Sequence, residues 1–483
     1  MKIKNKVTSV AIAFALAGLT ACGSDGGTSS GGIVNFDSGG DSSSSAVQIV
    51  LPDYDAKKDE FTFLTSAFFS PVVTEESMKE YTDCGFDVMW INGNNVGYGD
   101  SEFIRKALAE AEKQGVKCVI DATISRSEPV TKSMICNDYG YQNYSSLWAV
   151  NAYDEPVRME GDWTGTAGID TLAKYLPKFR QIYGNEMPYF VNLNPFPSTE
   201  RIKPDYKSYI QTNIDLLLKQ AGDHSQKWLS ADSYPLMYDP YQDRYFVKDV
   251  WLYNLQLFAD AKKDNKDLDI KTNFFILSTP HKTKSPTTYI REVGYNELRM
   301  QMYSLIAFGY DMASYFTYAT PPASGGESFE ASLLDVNGKK TQRWYDAQKL
   351  NAEIHNFDHV FLQFDYKGVY AVDGTGEKHY SNDSFSYLKM LDKEELGELG
   401  DITATADTLV GMGVDENGNG GYTVVNYNDP YYGLSDEVTL TFKNAKKAVV
   451  YVAGKKEIRS LTDNKLTLKL GVGEGVFVIP FTE

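Results

Sequence analysis

Residues 58–357 alternate short apolar runs with longer segments whose apolar residues recur every three or four positions. The short runs are rich in β-branched and aromatic residues, a pattern typical of strands buried on both faces. The longer segments have the spacing of amphipathic helices. We therefore predict eight strands, at 61–69, 86–91, 117–123, 147–153, 189–193, 228–233, 273–277 and 312–318.

Helices are predicted between these strands, and local signals mark several of their ends. Gly85, Gly115 and Gly309 stand where the helical periodicity stops, as is usual for glycine just past a helix. Ser101 is a candidate N-cap, and Pro204 suits a first helical position. The predicted helices span 75–84, 101–114, 204–220, 249–262, 291–308 and 341–357.

Buried strands that each lead into a helix predict a parallel sheet covered by helices, which is an α/β fold. Eight such units predict a closed (β/α)₈ TIM barrel over residues 46–360. The competing arrangement, an open doubly wound sheet, calls for a glycine-rich phosphate-binding turn after the first strand. The segment FTFLTSAFFSPV at 61–72 has no glycine, which favours the barrel.

Beyond residue 360 the pattern changes to short alternating runs separated by turn-forming residues. Strands are predicted at 421–426, 438–442, 448–452, 466–470 and 475–480. They indicate a small all-β sandwich over 361–483. Its expected role is structural, covering one flank of the barrel, and carbohydrate binding is the alternative.

The first 45 residues are predicted to be a signal and a tether. A basic start precedes an apolar run that is too short to span a membrane and ends in LTACG at 19–23. That ending resembles the bacterial lipobox, which implies a signal peptide over 1–21 and acylation of the Cys22 thiol, for example with palmitate. A plain secretory signal is the alternative. Residues 22–45 are mostly Gly, Ser and Asp and would form a flexible tether, so we expect lipid anchoring to a membrane at the bacterial cell surface or its periplasmic face.

Composition bears mainly on partners. The net charge is −18 and no basic stripe is present, which argues against nucleic acid. The 33 tyrosines suit stacking on sugars, although they are also ordinary core residues. Four scattered cysteines and five scattered histidines suggest no metal site and no cofactor. Cys118, inside an apolar strand, is predicted to be a buried free thiol.

Acidic residues close two of the predicted strands, at the barrel end where active sites lie. Asp154 and Glu155 end the fourth strand, and crowding of two like charges raises one pKa and leaves a proton donor beside an ionised partner. The alternative is a helix N-cap followed by a first-turn acid. Asp232 ends the sixth strand, which is about 10 Å away. Carboxylates leaning inward from these places could stand about 5–9 Å apart, the range used to hydrolyse glycosidic bonds.

Polar and aromatic residues at other strand ends fit a sugar cleft, where they would supply hydrogen bonds to hydroxyl groups and stacking faces. Each of them has a structural role as its alternative. The predicted substrate-binding residues are Asn92, Asp121, Asn192, Asn194, Tyr234, His281 and Tyr318.

The strand end Asp154-Glu155-Pro156 resembles the Asp-Glu-Pro motif of several barrel glycoside hydrolases. Residues 296–320 (NELRMQMYSLIAFGYDMASYFTYAT) resemble the seventh-helix and eighth-strand region of beta-galactosidase-like barrels, and 409–428 resemble part of the terminal β-domain that such enzymes commonly carry. The likeness covers 58–483 in organisation and these motifs in detail. It implies hydrolysis of a carbohydrate substrate, with Glu155 as general acid.

One departure from that family matters. The large retaining clan with this fold carries a second glutamate at the end of strand seven, where this chain has LSTPH at 277–281. Asp232 could be the missing partner. Alternatively, Asp154 and Glu155 could work as in the substrate-assisted hexosaminidases that the adjacent pair resembles. The prediction is a surface-anchored glycoside hydrolase; a non-catalytic glycan-binding lipoprotein and an adhesion module are the other classes left open.

Overall fold

The computed structural model describes residues 49–91, 101–121, 137–159, 168–196, 206–283, 289–323, 326–376 and 383–483. Val47–Glu483 forms one compact unit. Cys22, Asn92, Pro204 and the predicted signal peptide and tether lie outside the described residues.

Eight parallel strands close into a barrel, which confirms the predicted fold class. Every predicted strand is present, with ends shifted by a few residues. The strands are β1 (Leu64–Ala67), β2 (Val88–Ile91), β3 (Lys117–Asp121), β4 (Leu147–Asp154), β5 (Tyr189–Leu193), β6 (Lys227–Asp232), β7 (Ile270–Leu277) and β8 (Met312–Phe316). Each one pairs with its neighbours in sequence, and β1 pairs with β8 to close the ring.

Helices surround the barrel at all six predicted places, most of them with shifted ends. They are α1 (Glu75–Asp83), α2 (Ser101–Gln114), α3 (Ile169–Tyr183), α4 (Tyr206–Leu216), α5 (Trp251–Asp264), α6 (Tyr295–Ala307), α7 (Gln342–His355) and α8 (Asp358–Phe361). The prediction lacked α3, which contains Pro177, a residue that normally argues against a helix interior. Ser101 is the first residue of α2 and not its cap. The predicted start of α6 at residue 291 is also wrong, because Gly294 caps the helix and its N–H donates to Glu297 Oε2 at 3.1 Å.

Alternate strand residues fill the barrel interior and the layer between strands and helices. In β2, Val88 and Trp90 belong to the interior cluster, whereas Met89 and Ile91 pack toward the helices. The interior is largely aromatic, and its fully or nearly fully buried rings include those of Trp90, Phe190, Trp228 and Phe275. The barrel is therefore a packed core, and only its ends are open to chemistry. The free thiols of Cys84 and Cys118 are buried, as predicted for Cys118.

A bulge in β4 decides which of its last residues faces the barrel axis. Asn151 pairs in register with Phe190, Tyr153 pairs with Val191, and the register shifts between them. The extra residue reverses the alternation of side chains for the rest of the strand. Asp154 consequently lies beside Asn192 of β5, on the inner face. Without the bulge, the inner position would fall to Tyr153.

At the amino end of the barrel, two aspartates link neighbouring strands. Both occur in the same local sequence, Gly-aromatic-Asp. Asp87 Oδ2 accepts from the backbone N–H of Thr65 at 2.8 Å and from its hydroxyl at 3.1 Å. Asp311 Oδ2 makes the same two bonds to Thr272, at 2.8 and 3.1 Å, and also binds Lys262 Nζ at 2.6 Å. Each aspartate ties the start of its own strand to the neighbouring strand.

A small antiparallel sheet stands over the carboxyl end of the barrel. It contains Leu236–Asp239, Arg244–Val247, His281–Lys282, Tyr289–Ile290 and Ser328–Phe329, which follow β6, β7 and β8. We refer to it as the mouth sheet. It was not among the predicted elements, because its strands of two to four residues do not lie within longer apolar runs, as the four-residue barrel strands β1 and β2 do.

The C-terminal region is the predicted all-β sandwich, with more strands than the sequence indicated. One sheet contains β9 (Asp365–Val372), β11 (Thr408–Val414), β12 (Gly420–Asn426), β17 (Gly475–Phe481), β14 (Lys447–Val452) and β15 (Lys455–Ser460). The other contains β10 (Leu399–Ala404), β13 (Asp436–Phe442) and β16 (Lys465–Leu470). The larger sheet lies against α6, so closely that a Cβ at Gly411 would overlap the carbonyl oxygen of Ala307. The sandwich thus covers one flank of the barrel, as expected.

Candidate active site

Asp154, Asn192 and Asp232 lie side by side at the carboxyl ends of β4, β5 and β6. The Asn192 Nδ2 atom donates to Asp154 Oδ1 at 3.1 Å and to Asp232 Oδ1 at 2.8 Å. The two N–H bonds of a planar amide diverge by about 120°, which places the two accepting oxygens about 5 Å apart. The structure therefore brings two of the three predicted acids together on one nitrogen.

The pKa of Asp232 is raised in this setting. Burial and the charge of Asp154 raise its pKa from 3.8 to about 6, while hydrogen bonds from Asn192 and Tyr234 and the charge of Lys248 oppose the shift. A buried carboxyl beside a second carboxyl is an arrangement that keeps one group protonated and the other ionised. Asp232 is thus the better placed of the pair to hold a proton.

Glu155 lies next to the pair in an uncommon backbone conformation. Its φ is 50°, in the left-handed region, and its N–H donates to the Asn192 carbonyl oxygen at 2.8 Å. The residue is half-buried, and after burial its charge is among the causes that raise the pKa of Tyr206, Tyr209 and Tyr234. A non-glycine residue held at positive φ costs on the order of 1 kcal/mol and is often found at functional sites.

An aromatic wall rises beside Asp232 on one side of the mouth. The Tyr234 ring lies 4.9 Å from that of Phe316 and 5.7 Å from that of His281, between centroids. His281 in turn lies 5.2 Å from Phe329 in the mouth sheet. The Tyr234 side chain also acts on Asp232, whose pKa it lowers against the effect of burial. The wall combines ring faces with a polar tip, which suits the mixed surface of a sugar.

His281 is buried in this wall as an uncharged ring. Its Nδ1 lies 2.9 Å from the Thr279 carbonyl oxygen, so Nδ1 carries the proton because a carbonyl only accepts. Burial lowers the pKa of the ring, against the effect of that hydrogen bond. Nε2 is therefore the acceptor nitrogen of this tautomer.

Lys248 is a site residue that the sequence did not indicate. It follows the mouth-sheet strand Arg244–Val247, where its N–H donates to the Pro235 carbonyl oxygen at 2.8 Å. Burial lowers the pKa of its ammonium, and the charge of Asp232 acts in the opposite direction. The pattern of residues at the barrel strand ends did not indicate Lys248, because Lys248 follows a strand of the mouth sheet and not a strand of the barrel.

Three other predicted binding residues have structural surroundings. Asp121 is buried and accepts from Asn151 Nδ2 at 3.1 Å, and Asn194 is buried and donates to the Pro156 carbonyl oxygen at 2.9 Å. Tyr318 is fully buried on the helix side of the barrel, where the Trp344 indole donates to its hydroxyl at 3.2 Å. We therefore leave Asn194 and Tyr318 out of the substrate-facing set, while Asp121 stays on the inner face beside Asn151.

Within the residues that the structure describes, no group of three or more His, Cys, Asp or Glu side chains could hold a metal ion. The same part of the chain contains no helix long and apolar enough to cross a membrane. The donor sets at the carboxyl end are hydrogen-bonded carboxylates and an amide, which suits acid and base chemistry by the side chains themselves.

A crevice of about 370 Å³ opens at the other end of the barrel, against the sandwich. Several of its charged lining residues are paired with one another, for example Lys262 with Asp311 at 2.6 Å and Lys271 with Asp269 at 3.3 Å. These pairs belong to the closure of the barrel's amino end. The chemistry is therefore expected at the carboxyl end, where like charges are crowded.

Neither a protein-family model nor a curated protein sequence matches the chain. Solved structures resemble it in fold. A putative alpha-galactosidase from Bacteroides fragilis is 10% identical, with 88% of this chain and 80% of that one covered at a TM-score of 0.45. A GH27 β-L-arabinopyranosidase from Geobacillus stearothermophilus is 12% identical, with 89% and 97% covered at a TM-score of 0.44.

A beta-galactosidase from a psychrophilic Marinomonas is 10% identical, with 62% of each chain covered and a TM-score of 0.41. The chain thus spans about three fifths of that enzyme. These likenesses concern the fold alone. We base the chemistry of the site on this chain's own residues.

Proposed function

We propose that the protein is a glycoside hydrolase in which Asp232 is the proton donor and Asp154 the nucleophile. The observation that carries the proposal is the pair of carboxylates bonded to one Asn192 nitrogen. Their accepting oxygens stand about 5 Å apart, the separation used by enzymes that retain the anomeric configuration, whereas inverting enzymes need about 6.5–9.5 Å.

The two roles follow from the proton's position. Asp232, with its pKa raised to about 6, would protonate the glycosidic oxygen as the bond to the sugar breaks. Asp154 would attack the anomeric carbon and form a glycosyl ester. Asp232, now ionised, would then take a proton from water as that water releases the sugar from Asp154.

The substrate is proposed to be an oligosaccharide or polysaccharide. The aromatic wall of Tyr234, Phe316, His281 and Phe329 supports this, since it offers ring faces and polar edges next to Asp232. Glu155, the general acid inferred from the family resemblance, is kept as a neighbouring charge. Its N–H donates to the Asn192 carbonyl oxygen, and its charge is among the causes that raise the pKa of Tyr234.

The test is a hydrolysis screen over aryl glycosides and oligosaccharides with wild type, Asp154→Asn, Asp232→Asn and Glu155→Gln. We expect kcat to fall by about 10²–10⁴-fold in the two aspartate variants, and by less in Glu155→Gln. An aryl glycoside with a good leaving group should be spared in Asp232→Asn but not in Asp154→Asn. Saccharide binding without turnover in the wild type would instead support the glycan-binding alternative.

We also propose that the protein is held at the bacterial cell surface or at the periplasmic face of a membrane through acylated Cys22. The lipobox-like LTACG at 19–23 and the Gly/Ser/Asp-rich residues that follow support this. Cys22→Ser should move the protein from the membrane fraction to the soluble fraction. Cys84→Ser, at a buried free thiol, is the matched control and should leave the distribution unchanged.

A further inference from the structure

A chain of hydrogen bonds runs around the barrel interior and ends at the candidate site. It begins at Trp90 in β2, whose indole N–H donates to Ser66 Oγ at 3.1 Å. Ser66 Oγ lies 2.7 Å from Ser314 Oγ in β8, and the Ser314 hydroxyl donates to Asn273 Oδ1 in β7 at 2.8 Å. Each bond crosses to the next strand of the ring.

The second half continues in the same direction. Asn273 Nδ2 donates to Ser230 Oγ in β6 at 3.0 Å, and the Ser230 hydroxyl donates to Asn192 Oδ1 in β5 at 2.9 Å. The Asn192 amide then donates its two hydrogens to Asp154 and Asp232. Trp90 and all the linking side chains are at least 94% buried, so water does not compete with these bonds.

The direction of the chain is fixed by its two ends. An indole N–H can only donate and an ionised carboxylate can only accept, while each hydroxyl in between has a single proton to give. Because Ser314 gives its proton to Asn273, Ser66 must give its own to Ser314, which leaves the Ser66 oxygen to accept from Trp90. Bonds aligned in this way polarise one another in a low-dielectric interior.

We propose that Asn192 is a positioning residue for Asp154 and Asp232, and that Trp90 fixes the orientation of its amide through this chain. If the Asn192 amide turned over, its oxygen would face the two aspartates and its NH₂ group would face the Ser230 hydroxyl. The inference rests on the proposed function, since it explains how the fold holds the two acids of that reaction.

The pKa of Asp232 is expected to change when the chain of hydrogen bonds is interrupted. The hydrogen bond from Asn192 lowers the pKa of Asp232, against burial and the charge of Asp154, which raise it. A loosened amide would donate less well and leave the pKa of Asp232 higher. This readout needs no substrate, so it is independent of whether hydrolysis is detected.

The experiment follows the carboxyl ¹³C signal of Asp232 with pH in protein labelled at aspartate, assigned by its loss in Asp232→Asn. Trp90→Phe removes the first donor and keeps an aromatic ring among Phe68, Phe190 and Phe275. Ser230→Ala interrupts the chain next to Asn192. We expect each to raise the pKa of Asp232 by about half a pH unit or more, and to lower kcat with KM unchanged on any substrate found.

Trp228→Phe is the matched control. Its indole is also inside the barrel but donates to Gln226 Oε1 at 3.3 Å, off the chain, so the titration of Asp232 should not change. If Ser230→Ala does not fold, Ser230→Cys keeps the volume with a weaker donor and serves in its place.

The inference is overturned if the Asp232 titration in Trp90→Phe and Ser230→Ala superimposes on the wild-type curve. It is also overturned if Trp228→Phe shifts that titration as much as Trp90→Phe does, since packing would then be the cause. Hydrolysis that survives Asp232→Asn would defeat the proposed function, and the titration would still decide on the hydrogen-bond chain.

Discussion

The two ends of the barrel use aspartate in opposite ways. At the amino end, Asp311 receives two hydrogen bonds from Thr272 and an ion pair from Lys262, all on one oxygen. At the carboxyl end, Asp154 and Asp232 share the two hydrogens of a single amide. A carboxylate supplied with donors and a cation stabilises the fold, whereas two carboxylates placed close together in a buried setting favour keeping one of them protonated. The same residue type thus serves stability at one end and is available for chemistry at the other.

The largest expected effect comes from substituting one aspartate at each end of the barrel and comparing stability with activity. Asp311→Asn should lower the free energy of unfolding by about 2–3 kcal/mol, because it leaves Lys262 unpaired in a partly buried position, and should leave kcat per folded molecule unchanged. Asp232→Asn should do the reverse, abolishing most activity with little loss of stability. Denaturant unfolding and turnover on the same samples measure both. Equal damage to stability by both variants would remove the distinction.

The next effect concerns the proton on Asp232. Its folded-state pKa of about 6 lies above the ordinary 3.8, so its contribution to stability is present below about pH 4 and is lost as pH rises through 6. Under the proposed function, kcat/KM should fall over the same upper range, as the proton donor ionises. Asp154→Asn should lower the pKa of Asp232, which a carboxyl titration measures directly. A pKa that does not respond to Asp154→Asn would mean that the two acids are not coupled.

A smaller pH-dependent effect on stability is expected at the amino end, where a histidine lies beside two aspartates. His355 binds Asp358 at 3.1 Å and lies 3.5 Å from Asp87. Burial would lower its pKa, but the hydrogen bond to Asp358 and the charges of both aspartates outweigh that effect and raise it above 6.5. The stabilisation is therefore present below pH 6.5 and lost as pH rises through the folded-state pKa. His355→Gln should cost more stability at pH 6 than at pH 9, as unfolding at the two pH values would reveal.

The smallest effect tests the backbone of Glu155. At φ 50° a glycine is unstrained, so Glu155→Gly should be more stable than Glu155→Ala by up to about 1 kcal/mol. Thermal unfolding of the two variants gives the difference. An alanine variant as stable as the glycine variant would show that the left-handed conformation is not held in the folded protein.

Much of the fold could be predicted from the sequence, because long apolar runs and helical spacing report burial directly. All eight barrel strands were predicted, and the strand ends led to Asp154 and Asp232. The bulge in β4 could not be predicted, since an inserted residue changes facing without changing composition. Unbroken alternation from Ala149 and Asn151 would place Tyr153 and Glu155 on the inner face, and the bulge places Asp154 there instead.

The roles of residues that reach the site through long-range contacts could also not be predicted from the sequence. Lys248 reaches the site from the mouth sheet, and Trp90 acts through side chains on strands far apart in the chain. Tyr318, predicted to bind substrate, lies on the helix side because the strand it follows ends at Phe316. Periodicity indicates that such residues are buried, but not which neighbour they meet.

The central claim is that Asp154 attacks the sugar while Asp232 supplies the proton. The most direct measurement uses a panel of 2-deoxy-2-fluoro glycosyl fluorides, which trap the glycosyl ester of a retaining enzyme, followed by peptide mapping by mass spectrometry. The account predicts a single label on Asp154, formed in the wild type and absent from Asp154→Asn. A label on Glu155 or Asp232, or no label on a protein that hydrolyses the parent sugar, would contradict it.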